Sequence, residues 1–247
     1  YLQMEQDGKA LELRNKVAGQ AKAFPPVNPA TSYAAGAIPA RVALERRNYA
    51  EAASLPDPRQ VAVAKMPFGI AHVHFARAIG AARTKNLPVA KTALASLEMI
   101  HMQLSKVPPL RSFILQVDSQ RKAAAAFIAH AEGRSADAVA LLKEAAAAED
   151  LAGPHPISPG AIIPARELLG DLYLEVGQPK AALAEYEAEL RNYPYRFNGL
   201  FGAARAAEQA GRPGLARQYY RDLLNVAKGG DGKRPELAQA RAYVEKK

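Results

Sequence analysis

Apolar residues recur every three or four positions along most of the chain, in alanine-rich segments, while continuous runs of β-branched residues are nearly absent. This spacing places the apolar side chains on one face of an α-helix, and alanine has the highest intrinsic helix propensity. Segments containing proline and glycine interrupt the pattern at 24–29, 56–58, 108–109, 153–160 and 229–232. The sequence therefore predicts an all-α fold of about a dozen helices, joined in antiparallel pairs by tight turns.

Two adjacent stretches, 163–194 and 197–228, repeat one another at a fixed offset. The matching pairs, each separated by 34 residues, are Gly177 and Gly211, Pro179 and Pro213, Ala182 and Ala216, and Tyr186 and Tyr220. A helix–turn–helix unit of this length resembles the tetratricopeptide repeat (TPR). The small and large positions of that family fall on Leu169, Gly170, Tyr173, Ala182, Tyr186 and Pro194 in the first unit, and on Ala203, Ala204, Ala207, Ala216 and Tyr220 in the second, where Lys228 replaces the closing proline.

Weaker copies of the unit lie upstream, within 40–52, 78–97 and 126–145, so the resemblance covers most of the chain. It implies a right-handed α-α superhelix, a TPR-like solenoid of antiparallel helix pairs that forms one domain over 1–247. The segment 234–245 is expected to be a capping helix whose outer face stays hydrated. We interpret the glycine-rich stretch before it, 229–232, as a flexible linker.

Strings such as "PARVALERR" and "HFARAIGAA" resemble those of a group of uncharacterised bacterial TPR proteins. Many members of that group begin with an export signal, so the resemblance implies a periplasmic or other extracytoplasmic location. The opening residues, "YLQMEQDGKALELRNKV", read as the last turn of one helix followed by a second helix. We therefore expect the chain to be a fragment of a longer protein.

In TPR proteins the first helix of each pair lines a concave groove, and the resemblance carries those positions onto this chain. The groove residues that it implies are Arg41, Leu44, His72, Phe75, Ile79, Phe127, His130, Glu167, Asp171, Glu175, Asn198, Phe201 and Arg205. Exposed aromatic residues flanked by charges suit a peptide-binding groove. The alternative is that Phe75, Phe127 and Phe201 fill the space between repeats. Phe127 and Asp171 stand where the chaperone-tail-binding type of TPR has asparagine, which argues against that activity.

Composition and motifs narrow the chemistry further. The net charge of +9 is spread along the chain, with no basic run longer than two residues, whereas nucleic-acid binding needs converging cations. Cysteine is absent. His72 and His74 point to different sides of a helix, so we expect surface or groove histidines and no metal site. Motifs for nucleophilic catalysis or phosphate binding are also missing. We therefore expect no catalysis, no cofactor, no nucleic-acid partner and no membrane span.

These observations favour a non-catalytic scaffold that binds a protein or peptide partner. A second hypothesis is an accessory helical-repeat region of a larger enzyme or metal-handling protein whose active residues lie upstream. A third is an RNA-binding helical repeat, which the acidic stripe of Glu167, Asp171 and Glu175 disfavours. The segment 149–162 lengthens the interval between repeats by ten residues; it either forms a functional edge or only bridges a change of superhelix angle.

Overall fold

The computed structural model describes residues 1–20, 29–56, 67–107, 110–153 and 160–246. All the regular structure within these residues is helical, which confirms the all-α prediction. After a 3₁₀ turn at Leu2–Met4 the helices are α1 (Asp7–Gln20), α2 (Pro29–Glu45), α3 (Tyr49–Ala53), α4 (Pro67–Arg83), α5 (Leu87–Leu104), α6 (Arg111–Ala131), α7 (Ser135–Ala152), α8 (Ala165–Glu175), α9 (Pro179–Asn192), α10 (Phe197–Gln209), α11 (Pro213–Val226) and α12 (Pro235–Glu245).

The same tight turn joins the two helices of five successive pairs, from α2/α3 to α10/α11. Each turn contains one residue with a positive φ, and these are Arg47, Lys85, Gly133, Gly177 and Gly211. The amide that follows donates to the carbonyl five residues earlier, as Arg212 does to Ala207 at 2.9 Å. This is the Schellman ending of a helix, in which a left-handed residue lets the last carbonyls find donors. Glycine takes that conformation without strain, which explains why Gly177 and Gly211 occupy the same position in their turns.

Small residues recur at two equivalent positions of every helix pair. Five residues after each left-handed position stands a fully buried alanine: Ala52, Ala90, Ala138, Ala182 and Ala216. Seven residues before each left-handed position, on the first helix, another small and buried residue follows the same rule: Ala40, Ala78, Ala126, Gly170 and Ala204. Small side chains at both places let the helix backbones pack closely. The chain thus repeats one helix-pair design five times among the described residues, although only the last two pairs keep the 34-residue interval.

The two best predicted repeats each contain one observed helix pair. Helices α8 and α9 lie within 163–194, α10 and α11 lie within 197–228, and α12 coincides with the expected capping segment. Right-handed superhelical winding and TPR membership stay predictions. The chain divides into two compact units, Leu13–Ala165 and a second one formed by Tyr1–Glu12 with Arg166–Lys247. We call these the middle unit and the terminal unit.

In the middle unit the first helices of the pairs pack side by side, α2 on α4 and α4 on α6. Helices α5 and α7 pack on their partners α4 and α6, whereas α3 packs mainly on α4. A Cβ on Gly36 would collide with the backbone of Gly69, so α2 and α4 meet with their main chains nearly in contact. The largest buried side chains in this unit include Phe75, Leu97 and Leu142.

In the terminal unit α9 packs on α10, α10 on α11 and α11 on α12. The Tyr186 ring lies between α8 and α10, because a Cβ on Gly170 would come within 2.7 Å of it and a Cβ on Gly202 would overlap it. The tyrosine therefore fills a space that two glycines leave open, and it is fully buried.

The loop before α12 is firmly held, which corrects its interpretation as a flexible linker. The buried Glu5 carboxylate accepts hydrogen bonds from the backbone amides of Gly232, Lys233 (2.7 Å) and Arg234 (3.0 Å). The Arg234 guanidinium in turn binds both oxygens of Asp7, at 2.6 and 3.0 Å. The first turn of the chain and the loop at 229–234 therefore form one hydrogen-bonded clasp.

Candidate functional site

The polar side chains on the first helices of the middle unit bind the chain's own backbone. Arg41 donates to the carbonyl oxygens of Gly160 (3.2 Å) and Ala161 (2.7 Å). Tyr33 donates to Gly160 at 3.0 Å, and Gln116 donates to the same oxygen at 3.5 Å. Three side chains from α2 and α6 thus hold the segment that precedes α8. The expected groove residue Arg41 recognises main-chain carbonyls, and its present ligand belongs to this chain.

His72 is fully buried and is neither a surface nor a freely accessible groove histidine, in contrast to the expectation. Its Nδ1 lies 2.9 Å from the amide nitrogen of Gln120, and the Tyr33 ring meets the imidazole edge-on with centroids 4.7 Å apart. Burial and, to a smaller extent, the positive charge of nearby Arg41 lower the pKa of His72 to about 3. His72 is therefore neutral near pH 7, and because Nδ1 accepts from Gln120, the proton is assigned to Nε2.

The three phenylalanines expected to be exposed in the groove are buried, so that expectation is wrong. The exposed fraction is 2% for Phe75, 2% for Phe127 and 6% for Phe201. The Arg83 guanidinium lies 4.5 Å from the centre of the Phe127 ring, a cation–π contact inside the packed helices. The three phenylalanines instead fill the space between helices, as the alternative prediction stated. Leu44 and Ile79 are buried as well.

The carboxylates at 167, 171 and 175 do not form a continuous acidic surface. Glu167 is 1% exposed and forms an ion pair with Arg196 at 2.8 Å. Asp171 accepts a hydrogen bond of 2.6 Å from the Tyr186 hydroxyl. Glu175 alone is exposed. Glu167 and Asp171 therefore fix α8 against its neighbours, and Glu175 is the one exposed carboxylate of the three.

Two further expected groove residues are engaged within the fold. The His130 Nδ1 atom lies 3.0 Å from the Ser135 hydroxyl, across the turn between α6 and α7. Asn198 is 2% exposed on α10. Asn198 is therefore inaccessible to a partner, and His130 is only partly exposed.

Phe201 and Arg205 do lie at an open site, a cavity of about 440 Å³ between α10 and α12 in the terminal unit. The residues that line it are Phe201, Arg205, Glu208, Gln209, Pro235, Glu236 and Gln239. The Arg205 guanidinium lies 5.7 Å from the centre of the Phe201 ring, whose remaining surface is covered by the helices. Two of the expected groove residues therefore form one wall of a cavity large enough for a small ligand or a side chain.

A hydrogen-bond chain through Tyr220 connects two residues that line this cavity, Glu208 and Gln239. The Tyr220 hydroxyl donates to the Glu208 carboxylate at 3.1 Å and accepts from the Gln239 amide at 3.1 Å. Burial and, to a smaller extent, the negative charge of Glu208 raise the pKa of Tyr220 above its ordinary value. The phenol therefore stays protonated and keeps donating to Glu208, which holds the carboxylate at the cavity.

On the α12 wall, the Glu236 carboxylate has no ion-pair partner among the described residues. One of its carboxylate oxygens, Oε2, is buried and has no hydrogen-bond partner in the described part of the chain. Glu236 and Gln239 were not predicted as site residues, because the sequence pattern of α12 indicates only a hydrated capping helix. Their three-residue spacing, which places both on one helix face, was the available signal.

The described residues contain no group of three or more His, Cys, Asp or Glu side chains that could hold a metal ion, and none of their helices is long and apolar enough to cross a membrane. Comparisons with protein-family models, with curated proteins and with solved structures gave no match.

Proposed function

We propose that the chain is a non-catalytic scaffold of TPR-like helix pairs that binds a segment of a partner protein at the cavity between α10 and α12. The observation that carries this proposal is the placement of Phe201 and Arg205. They are the expected groove residues of the last repeat, and together they line an open cavity with polar groups on both sides. Ligand sites in proteins combine this kind of concavity with a few oriented polar groups.

The middle unit supports the proposal because side chains of one of its first helices bind main-chain carbonyls. There Arg41 and Tyr33 on α2 bind the carbonyl oxygens of a chain segment, Gly160 and Ala161. Recognition of main-chain carbonyls by side chains of first helices is what binding of a protein segment requires. In the terminal unit Arg205 holds the corresponding place on the first helix of its pair, beside a cavity.

A protein partner fits the surface charge better than a nucleic acid does. The basic pairs of the sequence are partly neutralised by carboxylates: Arg121 and Lys122 both bind Asp118, at 2.6 and 3.2 Å. Arg134 binds Glu132 at 2.6 Å and Asp137 at 2.8 Å. Cations that already have carboxylate partners release few counterions on meeting phosphates.

The test is selection of random dodecapeptides, displayed on phage, against the full chain. Peptides that recur should bind the wild type and lose about fivefold or more in affinity to Arg205→Ala, as expected for a residue at the centre of a site. The matched control is Arg241→Ala, which removes an exposed arginine from α12 outside the cavity lining. Failure to enrich any sequence, or equal binding to Arg205→Ala and the wild type, would reject the proposal.

A further inference from the structure

We infer that the cavity between α10 and α12 takes the basic side chain, guanidinium or ammonium, of a lysine or arginine in the bound segment. This inference rests on the proposed function and adds the chemistry of the ligand. It follows from the charge balance, from the missing hydrogen-bond donor and from the shape of the cavity.

The charged lining of the cavity is acidic overall, although the protein as a whole is basic. Glu208 and Glu236 contribute two carboxylates, and Arg205 is the single cation in the lining. Arg205 forms no ion pair with either carboxylate among the described residues, and its guanidinium lies over the Phe201 ring instead. A cation entering the cavity therefore meets two negative charges and is attracted to them, more strongly than in bulk water because the walls exclude part of the solvent.

The Glu236 carboxylate also lacks a hydrogen-bond donor, whereas the Glu208 carboxylate is exposed and can accept further donors. Oε2 of Glu236 is buried without one, which is unfavourable because a carboxylate loses its hydration on burial. Glu208 accepts one hydrogen bond, from Tyr220, and a carboxylate can accept several. Guanidinium and ammonium groups carry only donors, and the broad terminal torsion of a glutamate lets its oxygens turn toward them.

The apolar part of the lining suits the stem of a long basic side chain. Pro235 and the accessible edge of Phe201 line the cavity beside the carboxylates. Lysine and arginine pack their methylene groups on apolar surface while their charged ends reach polar partners. The volume of about 440 Å³ lies in the lower part of the range of ligand sites, as expected for one side chain and not for a whole folded surface.

Arg205 then has a separate part in recognition. Its guanidinium has no carboxylate partner among the described residues, and it lies at the wall of the cavity. We assign it to a main-chain carbonyl of the bound segment, as Arg41 binds the carbonyls of Gly160 and Ala161 in the middle unit. Glu208 and Glu236 thus bind the basic side chain of the segment, and Arg205 binds its adjoining backbone.

The experiment titrates the full ¹⁵N-labelled chain with three capped pentapeptides that differ only at the central residue, which is arginine, glutamine or glutamate between glycine pairs. The arginine peptide should shift the backbone amide signals of 201–209 and 236–239, and the other two should not. Glu236→Gln should weaken binding of the arginine peptide about fivefold or more, which is the loss of one favourable charge interaction. The matched control is Glu245→Gln, an exposed glutamate of the same helix, which should leave the affinity unchanged.

The outcomes separate this inference from the proposed function. Equal shifts with the arginine and glutamine peptides, a preference for glutamate, or an unchanged affinity in Glu236→Gln would overturn it. If selected dodecapeptides depend on Arg205 but lack a basic residue, segment binding stands and the assignment of a basic side chain is wrong. If no dodecapeptide depends on Arg205 while the arginine pentapeptide binds and needs Glu236, the cavity is a site for basic groups and the scaffold proposal fails.

Discussion

Replacement of Glu5 by alanine removes the carboxylate at the centre of the terminal clasp. Glu5 is fully buried, and three consecutive backbone amides, those of Gly232, Lys233 and Arg234, donate to it. Close packing of the loop makes this arrangement specific, since a Cβ on Gly230 would come within 2.7 Å of the Met4 carbonyl oxygen. The substitution therefore leaves three backbone amides without their acceptor.

The magnitude follows from the number and kind of these bonds. A hydrogen bond to a charged group contributes about 1.5–3 kcal/mol, and contributions within one network do not add fully. Water can enter the space left by the shorter side chain and replace part of the loss. We expect Glu5→Ala to lower the local free energy of unfolding of the clasp by about 3 kcal/mol, which is about a hundredfold in the opening equilibrium.

Hydrogen–deuterium exchange of the peptides covering 229–237 measures this opening directly. Exchange in Glu5→Ala should be about a hundredfold faster than in the wild type, while the peptides of α4 and α6 in the middle unit keep their rates. The control is Glu12→Ala, which removes an exposed carboxylate from the same part of the chain. Equal exchange rates at 229–237 in the two variants would refute the clasp as a stabilising element.

Three further predictions concern packing and protonation. Gly202→Ala places a methyl group inside a tyrosine ring and should cost about 1–3 kcal/mol in urea unfolding, whereas Gly214→Ala meets open space and should be neutral or slightly stabilising. Ala138 is fully buried between the paired helices α6 and α7, so Ala138→Leu should destabilise the fold by a similar amount. Ala140→Leu, on the exposed side of α7, should not, and equal effects of the two substitutions would contradict the packing of α7 on α6. His72 has a pKa of about 3 when folded and 6.5 when unfolded, so the free energy of unfolding should fall as the pH drops below 6.5, by about 1.4 kcal/mol per pH unit from this group. His72→Asn should lack that part of the slope, and an imidazole signal titrating near pH 6.5 in the folded wild type would disprove the buried neutral state.

The helix pairs could be predicted from the sequence because their signals are local. Gly177 and Gly211 mark turns that need a left-handed residue, and Ala182 and Ala216 mark fully buried positions on the second helix of each pair. Each signal acts within a few residues of its position, so spacing along the chain preserves it. Lys85 shows the limit, since a non-glycine residue takes the same turn conformation in a weaker repeat.

The candidate site was predicted only in part because burial depends on distant neighbours. Phe75 and Phe127 sit at groove positions by register, yet contacts with other helices cover them. The partners of Glu5 lie more than 220 residues away in sequence, a distance at which no local pattern can relate them. Phe201 and Arg205 were found by register, whereas Glu236 on the opposite wall required the packing of α12.

Binding at the cavity is tested most directly by hydrogen–deuterium exchange of the full chain with and without a saturating selected dodecapeptide. Exchange should become slower in 201–209 and 235–239, the two walls that carry Arg205 and Glu236, and should be unchanged in α5. Slower exchange confined to other parts of the chain, with both walls unaffected, would contradict binding at the cavity.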